Sequence, residues 1–339
     1  MRHPTGVRPG DRDWLEDRIR GCLAFATLGD VAGEPLEDLT RAEVATYGDP
    51  LQGVEAGEPT DDTGQLEALA RALVESGGSL TAELWHSGLV RWFRESPTAE
   101  KAGPTTRARL EGRDVAADER VGVTNGSAMR VAPAGLVNPG DAAAAVELAW
   151  LTSRPTHDTQ VAAAAAGAIA AGVATALRPG CGAQEVAEAC VLGAALGNGL
   201  GVRHGRIVAL PRVSTRIELA LDEARAAADL DEALERIEAA VGTSMLAFES
   251  VPAAVGVFAA AGGDPITTVR AGVQIGGDTD TIAAMAGALA GALHGYAAQE
   301  PADRALLDRI TPPSLAELAT PLADLAARRA AASPPETPR

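Results

Sequence analysis

Aromatic residues and net positive charge are both lacking in this chain of 339 residues. Phe, Tyr and Trp supply only 3% of it, which leaves little flat surface for stacking on nucleic-acid bases. The formal net charge of −17 repels a phosphate backbone. We therefore expect no nucleic-acid partner.

Cysteine is scarce, and the first residues contain no apolar run. Cys22, Cys181 and Cys190 are odd in number and lack C-x-x-C spacing, which disfavours a disulfide framework or a zinc site and favours a reducing compartment. The stretch MRHPTGVRPGDRDW resembles neither a signal peptide nor an anchor, so we expect a cytoplasmic protein. The uncharged stretches 161–177 and 281–297 consist mostly of alanine and glycine, which drive membrane insertion weakly. They predict buried helices, and no membrane partner is expected.

Hydrophobic residues make up 46% of the chain, enough for a sizeable core. Their period is helical, and no stretch shows the alternation typical of strands, so the sequence predicts an all-α protein. Asp13 is a candidate cap for the first helix. The predicted helices lie near residues 14–28, 63–76, 80–94, 141–152, 159–177, 183–195, 217–239, 245–261, 265–273, 280–297 and 314–330.

The chain ends differ in composition from the rest. Residues 1–12 and the Pro-rich tail 331–339 are polar and predict disorder. Between them, residues 13–330 contain no linker and no repeat of 20–50 residues, which predicts one domain. A single domain of this size favours a monomer.

Two predicted helices begin with clusters of aspartate and threonine. Thr60, Asp61, Asp62 and Thr63 open one, and the sequence GGDTDT at 276–281 opens the other. Helix capping is the simplest interpretation, because Asp and Thr bind free amides in a first turn. One cap needs only one side chain, however, so the extra carboxylates need a second explanation.

A metal site is the alternative to capping. If the two helix starts face each other, four carboxylates lie together and cannot all stay ionised without cations. Carboxylate and hydroxyl oxygens favour a hard ion such as magnesium, with manganese as the alternative. Glu37 in the first loop is a further candidate, although Glu34 and Asp38 compete with it and an exposed loop charge is the simpler interpretation.

Five motifs together resemble the ADP-ribosylglycohydrolase family, which includes dinitrogenase-reductase-activating glycohydrolase and the ADP-ribosyl-acceptor hydrolases. A weaker sixth, FESVPAAVGVF (248–258), precedes the last of them. The five are GCLAFATLGDVAGEPLE (21–37), PTDDTGQ (59–65), NGSAMRVAPAGL (125–136), THDTQVAAAAAGAI (156–169) and GGDTDTIAAMAGALAGALHG (276–295).

The resemblance implies a compact bundle of orthogonal helices with two divalent cations, usually magnesium, in a central cleft. Glu37, Asp61 and Asp280 would be the catalytic residues, with Glu37 or a metal-bound aspartate accepting the proton of the attacking water. His157 would contact ADP-ribose. The implied metal ligands are Thr60, Asp61, Asp62, Asp278, Asp280 and Thr281. The implied loop around the diphosphate and distal ribose contains Asn125, Gly126, Ser127, Met129 and Arg130.

Simple physical arguments agree with that loop assignment. Gly126 and Ser127 let backbone amides approach a pyrophosphate, and Arg130 supplies a local positive charge. Taken alone, these residues also fit an ordinary turn and an ion-paired arginine, and His157 fits a cap or a core histidine.

Two departures from the family pattern concern the acceptor. Lys101 stands where many relatives have an aspartate that meets a guanidinium leaving group, so ADP-ribosylated arginine is a less favoured substrate. Ser244 and Met245 replace a glycine and an aromatic residue that usually stacks.

Three functions are therefore weighed. The first is a metal-dependent hydrolase that cleaves the glycosidic bond at C1 of the distal ribose of an ADP-ribosyl group on a protein or small molecule, releasing ADP-ribose. The second is the same chemistry on a small ADP-ribosylated or NAD-derived metabolite of a specialised biosynthetic pathway. The third is a non-catalytic ADP-ribose-binding or structural relative.

Overall fold

Helices make up most of the computed structural model, which describes residues 10–113 and 122–332. No strand occurs in these residues, where β-pairing is limited to the isolated bridges Thr124–Leu246 and Thr159–Arg206. The α-helices are α1 (Arg12–Gly33), α2 (Arg41–Val44), α3 (Asp61–Glu75), α4 (Ala82–Glu95), α5 (Pro104–Leu110), α6 (Ala132–Leu136), α7 (Ala142–Ser153), α8 (Gln160–Ala176), α9 (Ala183–His204), α10 (Val213–Ala226), α11 (Leu230–Val241), α12 (Ala247–Ala260), α13 (Pro265–Gln274), α14 (Thr279–His294), α15 (Pro301–Ile310), α16 (Pro313–Ala316) and α17 (Ala319–Ala332).

The all-α prediction is confirmed, with local differences. Helix α1 begins at Arg12 because the Asp11 side chain accepts from the Trp14 amide, so Asp13 lies inside the first turn and is not the cap. The stretch 217–239 is not one helix, since Asp229 caps α11 and separates it from α10. Helix α15 was not expected at all. The segments predicted to be disordered lie mostly outside the described residues, but α17 continues to Ala332.

Glycine allows the long helices to pack almost backbone to backbone. On α1, a Cβ at Gly29 or Gly33 would overlap the backbone of α14, and Gly291 lies equally close to α1. Helices α8 and α9 meet in the same way. The stretch 161–177 is buried throughout, as predicted, and most of 281–297 is buried as well.

Helix α9 alone, among the described residues, is long and apolar enough to cross a membrane by length and composition. One face of α9 packs against α8, where an added Cβ at Gly193 or Gly197 would overlap the α8 backbone, while Leu192 and Leu196 are exposed.

The packing of α1 brings two helix starts together. The C-terminal half of α1 contacts the beginning of α14 through Gly33 and holds the beginning of α3 through hydrogen bonds that Asp30 accepts. The Asp/Thr clusters that are far apart in sequence therefore lie at one place.

Candidate active site

A cavity of about 370 Å³ lies between the starts of α3 and α14. Eleven of the residues predicted for the site line it: Glu37, Thr60, Asp61, Asp62, Asn125, Gly126, Met129, His157, Asp278, Asp280 and Thr281. Ser127 and Arg130 are fully buried and do not line it. The cavity thus joins the implied metal ligands to most of the implied ADP-ribose loop.

The start of α3 is fixed by Asp30, a residue that the sequence interpretation missed. One carboxylate oxygen of Asp30, Oδ2, accepts from the Thr60 amide at 3.0 Å, the Thr63 amide at 3.1 Å and the Thr63 hydroxyl at 2.6 Å. Asp30 lies inside α1 and is fully buried. Because another helix satisfies these first-turn amides, Asp61 and Asp62 are released from capping them.

The start of α14 is held by the loop that contains Glu37. The Asp38 amide donates to the Gly277 carbonyl at 2.9 Å, and the Gly277 amide donates to the Leu39 carbonyl at 2.8 Å. Gly276 and Gly277 have φ values of 81° and 79°, a region in which a side chain is strained. These bonds place Glu37 beside the first turn of α14.

The two helix starts face each other, as the metal-site interpretation requires. The Thr281 hydroxyl donates to Oδ2 of Asp62 at 3.4 Å. One carboxylate oxygen from each of Glu37, Asp278 and Asp280 lies within 4.8 Å of the others. Capping alone does not explain this arrangement, because the acidic side chains converge from three separate segments.

The donor set fits hard divalent cations. Oδ1 of Asp62 is buried and has no hydrogen-bond partner among the described residues, which is costly unless a cation compensates it. The neighbouring donors are carboxylate and hydroxyl oxygens, the ligands that magnesium and manganese prefer. The cluster can therefore hold divalent metal.

Electrostatics also favours cations at this place. Burial raises the pKa of Asp61 and of Asp278 to about 7. Burial and the charges of neighbouring aspartates raise the pKa of Asp62 and Asp280 well above its ordinary value. Burial, with the charges of Asp38 and Glu34, also raises the pKa of Glu37. Without cations, these groups therefore resist simultaneous ionisation.

The loop that begins at Asn125 forms another wall of the cavity. The Asn125 side-chain amide donates to Oδ2 of Asp278 at 2.5 Å and to the Ser250 hydroxyl at 3.0 Å. A Cβ at Gly126 would lie 2.9 Å from Cε1 of His157, so glycine is required for this close approach. Asn125 therefore orients an acidic residue of the cluster, a contact that the sequence interpretation did not anticipate.

Arg130 lies beneath the cavity instead of inside it. Its guanidinium donates to Oε1 of Gln65 and to the Thr156 hydroxyl, and it stacks 5.5 Å from the centre of the Trp85 ring. Gln65, Trp85 and Thr156 enclose the guanidinium outside the cavity, so its expected contact with a diphosphate stays a prediction. Its hydrogen bond to Gln65 connects it to Asp61, and its charge also lowers the pKa of His157.

His157 reaches the cavity from the start of α8. Its ring nitrogens lie 3.0 Å from the Thr124 hydroxyl and 2.8 Å from the Thr156 hydroxyl. Burial, followed by the charges of Arg130 and Arg109, lowers the pKa of His157 well below its ordinary value. The imidazole is therefore neutral at physiological pH.

Lys101 and Met245 complete the cavity rim at the positions that depart from the family pattern. The Lys101 ammonium pairs with Glu34 at 2.6 Å, and both side chains are partly exposed. Met245 is 42% exposed, whereas the Ser244 hydroxyl turns away to donate to Glu249 at 2.6 Å. The rim therefore presents one cation and one flexible apolar side chain.

The chain belongs to the ADP-ribosylglycohydrolase family, whose model matches residues 11–334. This membership identifies it as a hydrolase of the ADP-ribosyl hydrolase class. It also confirms the family resemblance found in the five motifs.

Individual relatives cover most of the chain. The uncharacterized protein YegU of Escherichia coli is 33% identical over 93% of this chain and 99% of its own length. ADP-ribosylhydrolase ARH3 of Bos taurus is 27% identical over 82% of this chain and 85% of its own length. Among solved structures, an ADP-ribosylglycohydrolase-related protein complex superposes with a TM-score of 0.64 at 25% identity, covering 93% of this chain and 99% of that one.

Proposed function

We propose that this protein is a metal-dependent hydrolase that cleaves the glycosidic bond at C1 of the distal ribose of an ADP-ribosyl group and releases ADP-ribose. The convergence of Glu37, Asp278 and Asp280 opposite Asp61 and Asp62 is the observation that supports this most directly. A binding protein without catalysis has no need for so many buried acids, so the non-catalytic alternative is less favoured.

Two divalent cations, magnesium or manganese, would be held by Thr60, Asp61, Asp62, Asp278, Asp280 and Thr281. When bound, such ions polarise a water molecule and hold ribose hydroxyls. The protein prepares this site through Asp30, which holds the first turn of α3, and through Asn125, which orients Asp278.

The acidic residues would also act on the reacting sugar. Hydrolysis at C1 passes through a transition state with positive charge on the ribose, which nearby carboxylates stabilise. Glu37, which lines the cavity and has a raised pKa, would take the proton of the attacking water, a role in which Asp61 or Asp280 is the alternative.

The diphosphate would lie against the Asn125 loop. Gly126 lines the cavity and has no side chain, so a ligand can approach its backbone closely, and bound cations would offset the negative charge of the diphosphate. His157, which is neutral and lines the same wall, would contact the ligand by hydrogen bonding without adding charge. Ser127 and Arg130 would support this loop from beneath.

The residues at the cavity rim support a proposal for the group to which the ADP-ribosyl moiety of the substrate is attached. The Lys101–Glu34 pair puts a cation where a guanidinium leaving group would be repelled, so a substrate other than ADP-ribosylated arginine is favoured. A small ADP-ribosylated or NAD-derived metabolite is the second candidate substrate, and a modified protein is the first. We further propose that the enzyme is a cytoplasmic monomer.

Chromatographic detection of ADP-ribose tests the proposal. The substrate panel contains ADP-ribosyl-arginine, ADP-ribosyl-serine, O-acetyl-ADP-ribose and NAD, each assayed with Mg²⁺ and with a chelator. Release that depends on Mg²⁺ is expected from at least one substrate. No release from any substrate, with tight binding of ADP-ribose itself, would instead favour the non-catalytic relative.

A further inference from the structure

Gln65 lies one helical turn after Asp61 and holds its carboxylate. The Gln65 side-chain amide donates to Oδ2 of Asp61 at 2.7 Å, and both residues are buried. This bond, together with backbone hydrogen bonds from Gly103 and Asp61 itself, holds the carboxylate group in one orientation. Gln65 itself does not line the cavity.

Arg130 determines which end of the Gln65 amide faces Asp61. The guanidinium donates to Oε1 of Gln65 at 2.5 Å, and arginine has no acceptor atom. The amide oxygen must therefore face Arg130, which leaves the NH₂ group for Asp61. Without Arg130, a flipped amide would bring its oxygen against the carboxylate of Asp61.

Arg130 is itself held firmly. Its Nη2 donates to the Thr156 hydroxyl at 2.7 Å and to the Thr152 carbonyl at 3.2 Å, and the Trp85 indole donates to the same carbonyl at 2.6 Å. The Thr156 hydroxyl also contacts His157. A continuous buried network thus runs from the ADP-ribose wall of the cavity to Asp61.

Arg130 is also unusual in its charge environment. It is fully buried, and its hydrogen bonds go to an amide, a hydroxyl and a carbonyl, not to a carboxylate. A buried arginine normally needs an acidic partner to offset its lost hydration. Asp61 supplies that negative charge without contacting Arg130 directly, because the Gln65 side chain lies between them and bonds both.

We propose that Gln65 and Arg130 are positioning residues for the cation site: Arg130 orients the Gln65 amide, and that amide orients Asp61 toward the cation. This inference rests on the proposed function, in which Asp61 is a metal ligand. It predicts that neither residue touches the cation and that Arg130 acts on Asp61 through Gln65.

Isothermal titration of the full chain with Mg²⁺ alone tests the inference. Gln65→Met, which keeps the volume and removes the donor, is expected to weaken Mg²⁺ binding by about tenfold to a hundredfold. Arg130→Met is expected to weaken it as well. The double variant should bind no more weakly than Gln65→Met, because the two residues act in series. The proposal would be overturned if the double variant lost the sum of the two single losses in Mg²⁺ affinity, or if Gln65→Met bound Mg²⁺ like wild type.

A conservative variant separates positioning from folding. Arg130→Lys retains a donor for Gln65 but loses the planar guanidinium that also bonds Thr152 and Thr156, so we expect it to weaken Mg²⁺ binding less than Arg130→Met does. In Gln65→Met, saturating Mg²⁺ should restore kcat, which it would not do if the variant were simply misfolded. Equal loss in Arg130→Lys and Arg130→Met would contradict the role assigned to the hydrogen bond.

Two matched controls lie outside the network. Gln160→Met removes a buried glutamine whose side chain bonds the backbone of Val208, away from the network. Arg18→Met removes a buried arginine that lies 5.0 Å from the Trp14 ring and donates to the Leu293 carbonyl, near the opposite end of α14. Both should bind Mg²⁺ like wild type. If wild-type protein itself binds no Mg²⁺, the cation requirement of the proposed function fails along with this inference, whereas a failure limited to the variants leaves the proposed function intact.

Discussion

Gly33 packs directly against the backbone of Asp280, with no space for a side chain between them. Next to this contact, the Thr279 hydroxyl donates to the Gly33 carbonyl at 2.8 Å. The end of α1 and the first turn of α14 therefore form one rigid wall of the cleft. Glu37 follows four residues after Gly33, so the same contact sets its distance from Asp280.

Gly33→Ala should damage both folding and the site. The added methyl group overlaps the Asp280 backbone, and such overpacking costs about 1–3 kcal/mol of unfolding free energy. Asp280 must then shift, so we also expect weaker Mg²⁺ binding by titration calorimetry. Gly88→Ala is the control, because its new Cβ would meet nothing closer than 3.7 Å in the middle of α4. If Gly33→Ala matched that control in stability, the close contact would be wrong.

Asp61→Asn and Asp280→Asn should each remove activity. Both changes keep the side-chain shape and delete one negative charge from the cluster. Turnover is expected to fall by at least about a hundredfold, and Mg²⁺ binding should weaken in parallel. Asp222→Asn, at an exposed ion pair with Arg225, is the control for losing one charge. Wild-type rates in either cleft variant would count against a two-cation site.

The stability of the metal-free protein should fall as pH rises. The pKa values of Asp61 and Asp278 are raised from 3.8 to about 7 in the folded protein, so the folded state binds more protons than the unfolded chain in that window. Stability from these groups is present at low pH and is lost as pH rises through about 4 to 7, on the order of a few kcal/mol.

Divalent cations should reverse that loss. The measurement is the difference in Tm between protein in Mg²⁺ and protein in chelator, taken at several pH values. Surface carboxyls such as Asp49, whose pKa is lowered by Arg270, contribute equally to both Tm values and cancel. We expect the Tm gained from Mg²⁺ to grow between about pH 5 and about pH 8. A gain that is constant or shrinks with pH would show that the raised pKa values do not belong to the cation site.

Lys101→Asp should shift acceptor preference toward arginine. The variant removes the cation at the rim and adds a carboxylate beside Glu34, which favours a guanidinium leaving group. We expect kcat/KM for ADP-ribosyl-arginine to rise about tenfold relative to O-acetyl-ADP-ribose, equivalent to about 1.4 kcal/mol. Arg178→Asp makes the same charge change at an exposed pair with Glu185 and should alter neither substrate. If wild-type protein already prefers the arginine substrate, the role assigned to Lys101 is wrong.

Sequence patterns predicted the starts of helices best where a capping residue marks them, whereas the helix end predicted before Gly29 is wrong, because α1 continues to Gly33. The Asp/Thr clusters at 60–63 and 278–281 also predicted their own convergence, because one cap could not account for them. Where the signals for a helix boundary were weak, the prediction was wrong: α10 and α11 were predicted as one helix, and α15 was not predicted.

Residues that act through other residues could not be predicted from spacing. Asp30 lies in the last turn of α1, beyond the helix end predicted at residue 28, and nothing in the local sequence shows that it faces α3. Gln65 is an ordinary helix former in sequence, and its proposed role follows only from its contact with Arg130, a residue that Trp85 and Thr156 also contact. Arg130 was expected in the cavity because its charge was considered without its burial.

The contact between α1 and α14 also has a consequence for synthesis of the protein. Gly33 and Thr279 are 246 residues apart, so at ribosomal speeds the second partner emerges on the order of ten to fifty seconds after the first. During that interval the glycine face of α1 has nothing to pack against, and the acidic cleft lacks one wall. A cation site that requires Asp278 and Asp280 therefore cannot be complete before α14 has been synthesised.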